Sequence, residues 1–326
     1  MDQLDLALSA LYFLTLKEKI LLRKNIDRIE HLAVLSIEDI SFFIKRPLGS
    51  RISWDGNELL RQTRLARSIM EGQGISACCY GQPEYPALLK EIFNPPYCIY
   101  YRGDVHCLGK ECISIVGTRN VCREAASATL DFAREAALDG LTVVSGNANG
   151  IDSFAHRGAL ASGKEGSTAC ILPCGIDTIV PVGHKAMVAR IIQTGGVVLS
   201  EYIPGTPAEK WRFVQRNRLI AALSPATVVM QAPPGSGALI TAEFALEYDR
   251  DVMFHSCAFC EEAQKREAGT LEKRKSLNSG KAVRSCTSYI DSGAPVISGY
   301  GEYKNALRDA PGTYAVLEDG QLSLIS

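Results

Sequence analysis

Apolar and polar positions follow two different rhythms along this chain. Over residues 1 to about 75, apolar side chains recur three and four apart, as in "LALSALYFL" and "ELLRQTRLARSIM", a spacing that lays one stripe along a helix. A small all-helical unit is predicted there. From residue 112 the rhythm becomes short apolar runs, each followed by a helix-length pattern: "CISIVG" with a helix from about 121 to 139, "LTVVSG" with a helix from 151, and "STACILPCG" with a helix from about 184. "VVLSEY" with a helix around 212 to 223, "TVVMQAPPGSG" with a helix from 238, and "DVMF" continue the series. Runs that are apolar throughout belong to strands buried on both faces, and strand–helix repetition makes them parallel. The expected fold class is α/β: an extended Rossmann-like, doubly wound, mostly parallel sheet with a small N-terminal all-helical domain.

Between the two rhythms, "GQPEYPALLKEIFNPPYCIYYRGDV" carries four prolines and several aromatics and reads as an ordered connection laid over a neighbour's surface. The domains are therefore placed at residues 1–78 (helical), 79–308 (sheet) and 309–326 (tail). Inside the second, residues 258–286 break the pattern: "EEAQKREAGTLEKRKSLNSGK" offers mixed charge and almost no apolar anchor. It reads as a solvated insertion or, alternatively, a basic contact arm. "SYIDSGAPVISGYGEYKNAL" then returns to the sheet as a final strand and helix.

Composition narrows the function classes. With 35 Lys+Arg against 36 Asp+Glu the formal charge is -1, so no whole-molecule field draws in nucleic acid or membrane, and any anion site must be local. The N-terminal "MDQLDLALSALYFLTLKEKI" has acids where a secretory leader carries bases, and no apolar run approaches a membrane span. A cytoplasmic location is expected. Most of the eleven cysteines, Cys112, Cys170 and Cys174 among them, sit singly in apolar stretches and read as buried thiols. His255, Cys257, Cys260 and the distant Cys286 are the one set that could supply four zinc ligands, although a second close-spaced pair is missing. No metal or cofactor is expected.

The glycines carry more information. Strand after strand ends in a bare or small-residue turn: Gly117-Thr118-Arg119, Ser145-Gly146, Pro173-Cys174-Gly175 and Gly235-Ser236-Gly237. In a parallel sheet these turns gather at one rim beside helix N-termini whose free N–H groups favour anions. The rim reads as a phosphate site, against the plainer alternative that short loops use glycine only to turn. A GxxxxGK[ST] motif is absent, and "GTRNVCREA" lacks GxGxxG spacing, so neither a triphosphatase nor a dinucleotide site is supported. Asp152 and His156, four apart on one helical face, would suit a base and its orienter. The competing reading is that Asp152 complements its helix dipole and His156 packs locally.

The segment "PAEKWRFVQRNRLIAALS" places Lys210, Arg212, Arg216 and Arg218 against a single acid, Glu209, with Trp211 and Phe213 among them. Rings that stack on unpaired bases, interleaved with cations that track phosphates, are what a single strand requires. The bland reading makes the aromatics packing anchors and pairs Arg216 and Arg218 with acids such as Glu201 inside the fold.

"YPALLKEIFNPPYCIYYRGD", "SIVGTR", "SGNANGIDSFAHRGAL", "ILPCGID", "LSEYIPGTP", "FVQRNRLIAALS" and "SGALITAEFAL" stand in the order seen in the DprA/Smf family of DNA-processing proteins, which this chain resembles over about residues 80 to 255. The resemblance implies an extended Rossmann fold, binding of single-stranded DNA that protects it, and delivery of that strand to the recombinase RecA in transformation or related recombination by a homodimer that is not an enzyme. It also implies that Arg119 contacts phosphate, Gly146 the sugar-phosphate backbone, Lys210 phosphate and Phe213 a base. Gly117, Thr118, Ser145, Arg216, Asn217 and Arg218 complete the expected DNA-binding set, with Gly117 and Gly146 bare for close approach. The N-terminal helices resemble the family's SAM-like domain in outline.

Several positions depart from the family. Asn149 stands where a base is common, Ala125 where a glycine is common, and "VMFHSCAF" replaces a Val-Pro-Gly ending near the family's dimer and RecA surfaces. Residues 309–326 are expected to be too short for the winged helix that many members carry. The alternative kept open is a Rossmann enzyme acting on a small nucleotide, of the nucleoside monophosphate hydrolase kind. Against it stands the lack of a PGGxGT-type turn with a following acid.

Overall fold

A run that is apolar on both sides can be buried only inside a sheet covered by helices, and all six such runs become strands. The computed structural model describes residues 1–49, 52–276, 284–308, 314–316 and 322–324. The main sheet contains β1 (Ser76–Cys79), β2 (Cys98–Gly103), β3 (Cys112–Gly117), β4 (Thr142–Gly146), β5 (Thr168–Ile171), β6 (Val197–Ser200), β7 (Ala226–Gln231), β8 (Asp251–His255) and β9 (Val296–Ile297). Their order is β1-β2-β6-β5-β4-β3-β7-β8-β9. Pairing is parallel from β6 to β9, and β1 and β2 form an antiparallel edge.

That edge corrects the reading of the proline-rich segment as a connection only. Residues 100–103 of it pair with β6, Tyr100 opposite Ser200, and Cys79 on β1 faces Cys98 on β2 in a disulfide. Those two cysteines are thus not thiols, whereas Cys112, Cys170 and Cys174 are free and buried. The strand edge also takes in the position chosen for the boundary at 78/79.

Helices α1 (Gln3–Ala10), α2 (Leu16–Asn25), α3 (Ile29–Ala33), α4 (Ile37–Ile44) and α5 (Gly56–Gln73) precede the sheet. Thr15 and Ser36 start α2 and α4 with reciprocal capping boxes, and Asp55 caps α5. Leu4, Leu8, Leu22, Leu32 and Ile40 share one apolar cluster with Tyr100, Cys170, Leu172 and Val198 of the sheet region. The N-terminal helices are therefore cemented to the sheet.

α6 (Ala87–Lys90) lies in the connection between the antiparallel β1 and β2, and the crossovers are α7 (Arg123–Leu138), α8 (Ile151–Ala161), α9 (Lys185–Gln193), α10 (Lys210–Ala222) and α11 (Gly237–Glu247), followed by α12 (Glu261–Ser276), α13 (Cys286–Asp291) and α14 (Tyr300–Arg308). Phe132, Ala133 and Ala136 of α7 and Ile151 and Ala155 of α8 cover Ile113, Ile115 and Val143 on one face. On the other, Leu219 and Ile220 of α10 and Leu239 and Ala242 of α11 cover Val116, Val144 and Val229. The final strand and helix expected within "SYIDSGAPVISGYGEYKNAL" are β9, which joins the sheet beside β8, and α14; the leading "SYID" lies in a further helix, α13, started by a capping box at Ser285.

Residues 261–276, expected as a solvated insertion, form α12. Its exposed pairs Glu261–Lys265 and Glu262–Arg266 are spaced one helical turn apart, and Ala263 is buried beneath it. Residues 277–283 lie outside the described residues. A second, two-stranded antiparallel sheet pairs Tyr314–Val316 with Leu322–Leu324.

The chain builds the sheet outward from β3 through β4, β5 and β6, then returns to β7 on β3's other side. Successive crossovers therefore leave β3 and β7 in opposite directions, and a crevice opens at the carboxyl ends of these two strands.

Candidate nucleic-acid interface

The crevice has a volume of about 540 Å³ and is lined by the turn after β3 (Gly117, Thr118, Arg119), by Ala148 and Asp152 at the start of α8, by one face of α10 (Lys210, Phe213, Val214, Arg216, Asn217) and by the start of α11 (Ser236, Gly237, Ala238). Arg119 and Lys210 are exposed, and neither forms an ion pair among the described residues. The Arg119 guanidinium carbon stands 5.3 Å from the centre of the half-buried Phe213 ring, a cation–π contact that holds charge and ring side by side. Ser236 caps α11 without a side-chain bond to it, and its Oγ has no partner among the described residues. A helix N-terminus with a hydroxyl to spare suits an anion.

The glycines divide sharply. A Cβ on Gly117 would lie 2.3 Å from Ile151 Cγ1, and one on Gly146 would lie 2.5 Å from Asp152 Oδ2 and 2.7 Å from Arg216 Nη2. Both positions are bare because the protein's own side chains fill the space. The expectation that Gly146 is bare to admit a sugar-phosphate backbone therefore gives way to an internal reason: Arg216 and Asp152 lie against it. Gly237 differs, because its nearest neighbour to an added Cβ is Asn217 Nδ2 at 3.7 Å. Gly175 supports the adjacent loop instead, donating its N–H to the Thr206 carbonyl at 2.9 Å.

The arginines divide too. Arg216 is 3% exposed, donates to the Ile171 carbonyl, and reaches Asn217 Oδ1 at 3.3 Å. It sits behind the crevice as buried charge. Arg218, expected at the DNA, is 6% exposed and turned away: it pairs with Glu201 and donates to the Asn94 carbonyl at 2.9 Å. Arg212 is buried against the rings of Tyr202, Trp211 and Tyr12 and bonds the Pro207 carbonyl. Of the four bases in this segment, Lys210 alone is exposed. Asn217 donates to the Gly237 carbonyl at 3.1 Å, tying α10 to α11 across the crevice. Thr118 and Ser145 are buried; Ser145 donates to the Ile115 carbonyl at 2.7 Å, and Thr118 Oγ1 accepts from Asn120 N–H at 3.2 Å.

Asp152 and His156 do not couple to each other. Asp152 accepts from Ala148 N–H at 3.2 Å, and burial pushes its carboxyl up to about 6 against the opposing pull of Arg216. His156 is fully buried, bonded to Thr168 Oγ1 at 2.7 Å, and pushed down to about 4 by the same cause. The zinc set is likewise dispersed. Cys257 Sγ donates to the Met230 carbonyl, Cys286 Sγ to the Ala232 carbonyl, and Cys260 lies 3.6 Å from Cys122. Among the described residues no group of three or more such side chains could hold a metal ion.

A doubly wound, mostly parallel sheet with a crevice at its switch point defines the broad class of Rossmann-like folds. Within that class the comparisons are specific: residues 76–300 match the DNA recombination-mediator protein A family, and the chain belongs to that family. Protein Smf of Borreliella burgdorferi is 31% identical over 77% of this chain and 78% of its own. DNA processing protein DprA of Bacillus subtilis is 35% identical over 55% of this chain and 60% of its own. For Protein Smf of Synechocystis the match covers 43% of the relative, so the chain spans about half the length of some curated relatives. The crystal structure of DprA from Streptococcus pneumoniae superposes with a TM-score of 0.68 at 25% identity, over 94% of this chain and 98% of that one. DprA from Helicobacter pylori, whose structure is described in terms of its single-stranded DNA binding mode, gives 0.57 at 25% identity, over 72% and 95%. No helix among the described residues is long and apolar enough to cross a membrane.

Proposed function

We propose that the β3–β7 crevice binds single-stranded DNA, with Arg119 and Lys210 on phosphates, Phe213 under a base and the α11 N-terminus at Ser236–Gly237 completing the anion path. The observation that carries this is the juxtaposition of two exposed cations with no ion pair among the described residues and a ring at a sheet switch point, in a chain with no net positive field. Arg216 supports the site by buried charge, and Arg218 by fixing α10. The protein acts as a mediator that protects a strand and passes it to the recombinase RecA, as a cytoplasmic homodimer, and not as an enzyme. His156 supports that last point, because it is fully buried and bonded to Thr168 Oγ1 and so does not reach the crevice as a base.

The test is binding of oligothymidylates of increasing length at two salt concentrations. Affinity is expected to rise with length. Lys210→Ala and Arg119→Ala are each expected to weaken binding several-fold and to lower the slope of log K against log salt by about one, with melting temperature unchanged. Equal affinity for mononucleotides, with their turnover, would instead establish the nucleotide enzyme.

A further inference from the structure

We propose that Trp211 is a second base-stacking subsite, so that the bound strand leaves Phe213, crosses the exposed face of α10 and lays a further base on the indole. This rests on the reading of the crevice as a single-strand site and extends it outward. At 3.6 residues per turn, Phe213, Asn217, Lys210, Val214 and Trp211 follow one another around the helix over about 160°. The first four line the crevice. Val214 is 42% and Trp211 49% exposed, while Arg212 on the far side is buried. A continuous open arc thus runs from the crevice to the indole.

The indole is exposed yet held. The Arg212 guanidinium carbon lies 4.8 Å from the ring centre, Tyr202 meets the ring edge-on at 6.5 Å, and Nε1 donates to Glu209. A large apolar surface left in water is unfavourable, and packing alone would be served as well by a ring turned inward. A planar ring backed by a cation, with its rotamer already fixed, is instead prepared for an unstacked base, because little ordering remains to be done on binding. Every base offers a π-face, so the subsite takes any nucleotide of a single strand and not duplex DNA, whose bases are already stacked.

The experiment measures intrinsic tryptophan emission and fluorescence anisotropy together while an end-labelled oligothymidylate of about 20 nucleotides is added to the full chain. Binding is expected to quench the emission, and Trp211→Phe is expected to abolish the change while keeping most of the affinity, since Trp54 is the chain's other tryptophan. Trp211→Ala is expected to lose about tenfold in affinity, with the salt slope unaltered because no phosphate contact is removed. A packing role alone would lower the melting temperature of Trp211→Ala and leave affinity intact. Unchanged affinity in Trp211→Ala, or strand binding without quenching that depends on Trp211, overturns the subsite and leaves the crevice reading standing. Absence of any oligonucleotide binding by the natural chain overturns both.

Discussion

Lys210 and Arg218 belong to one helix and carry the same charge, yet the fold uses them in opposite ways. Lys210 opens α10 in solvent at the mouth of the crevice. Arg218, two turns on, is sealed between α10 and the N-terminal helices, paired with Glu201 in a small cavity that also receives the buried Lys19. Burial lowers Lys19 to about 8 and raises Glu201 above the ordinary carboxylate range. A basic cluster in a sequence is thus not by itself a binding surface. Its charges can serve as ties between elements, and only solvent access tells the two uses apart.

The largest expected effect breaks this comparison at its buried end. Arg218→Ala leaves Glu201 charged and buried without its partner, and is expected to cost about 3–5 kcal/mol in a denaturant titration. Replacing Arg218, Glu201 and the neighbouring Lys19 together by apolar residues is expected to recover most of the loss, because no uncompensated buried charge then remains. Lys210→Ala, at the exposed end, is expected to leave the same titration unchanged. If Arg218→Ala instead kept full stability and lost DNA affinity, the assignment of that residue to the interior would be wrong.

A second contrast lies in α8, where two buried titratable groups act on stability in opposite directions. The carboxyl of Asp152 rises from 3.8 to about 6, so the native state takes up its proton first, and this contribution to stability is lost as pH rises through about 6. His156 falls from 6.5 to about 4, so its contribution is present above 6.5 and is lost as pH falls toward about 4. Between those limits the two largely cancel. Asp152→Asn is expected to unmask the histidine, so that stability drops by about 3 kcal/mol from pH 6.5 to pH 4 relative to the natural chain. Matched urea titrations at the two pH values give the difference.

The strand–helix series from residue 112 was legible because a doubly buried parallel strand leaves an apolar run that little else produces. The edge strands were not. β1 is four residues long and β2 follows two prolines, so local pattern signalled a connection, and only pairing with β1 and β6 together makes a strand of 98–103. α12 was hidden for a related reason: its stability comes from pairs one turn apart and one shallow anchor, not from an apolar stripe. At the site, residue types announced the crevice, and Arg119, Lys210 and Phe213 do converge there. Direction was what the residue types could not convey. Nothing in "RNR" says that its first arginine points to Ile171 and its last to Glu201.

The glycines give the same lesson on a smaller scale. At Gly146 an added Cβ meets Asp152 and Arg216 inside van der Waals contact, and Gly146→Ala is expected to cost about 1–3 kcal/mol by displacing them. Any weakening of DNA binding should then follow from the moved Arg216 and appear together with the stability loss. Gly237 at the crevice mouth is the converse. It begins α11, an added Cβ has only Asn217 Nδ2 at 3.7 Å, and Gly237→Ala is expected to shift stability by no more than about 0.5 kcal/mol. A methyl at that mouth still stands where a phosphate must approach the α11 N-terminus, so oligonucleotide affinity is expected to fall several-fold. Calorimetry and anisotropy on the one variant separate the two quantities. Unchanged affinity would place the strand's path away from α11 and leave Arg119, Phe213 and Lys210 as its track.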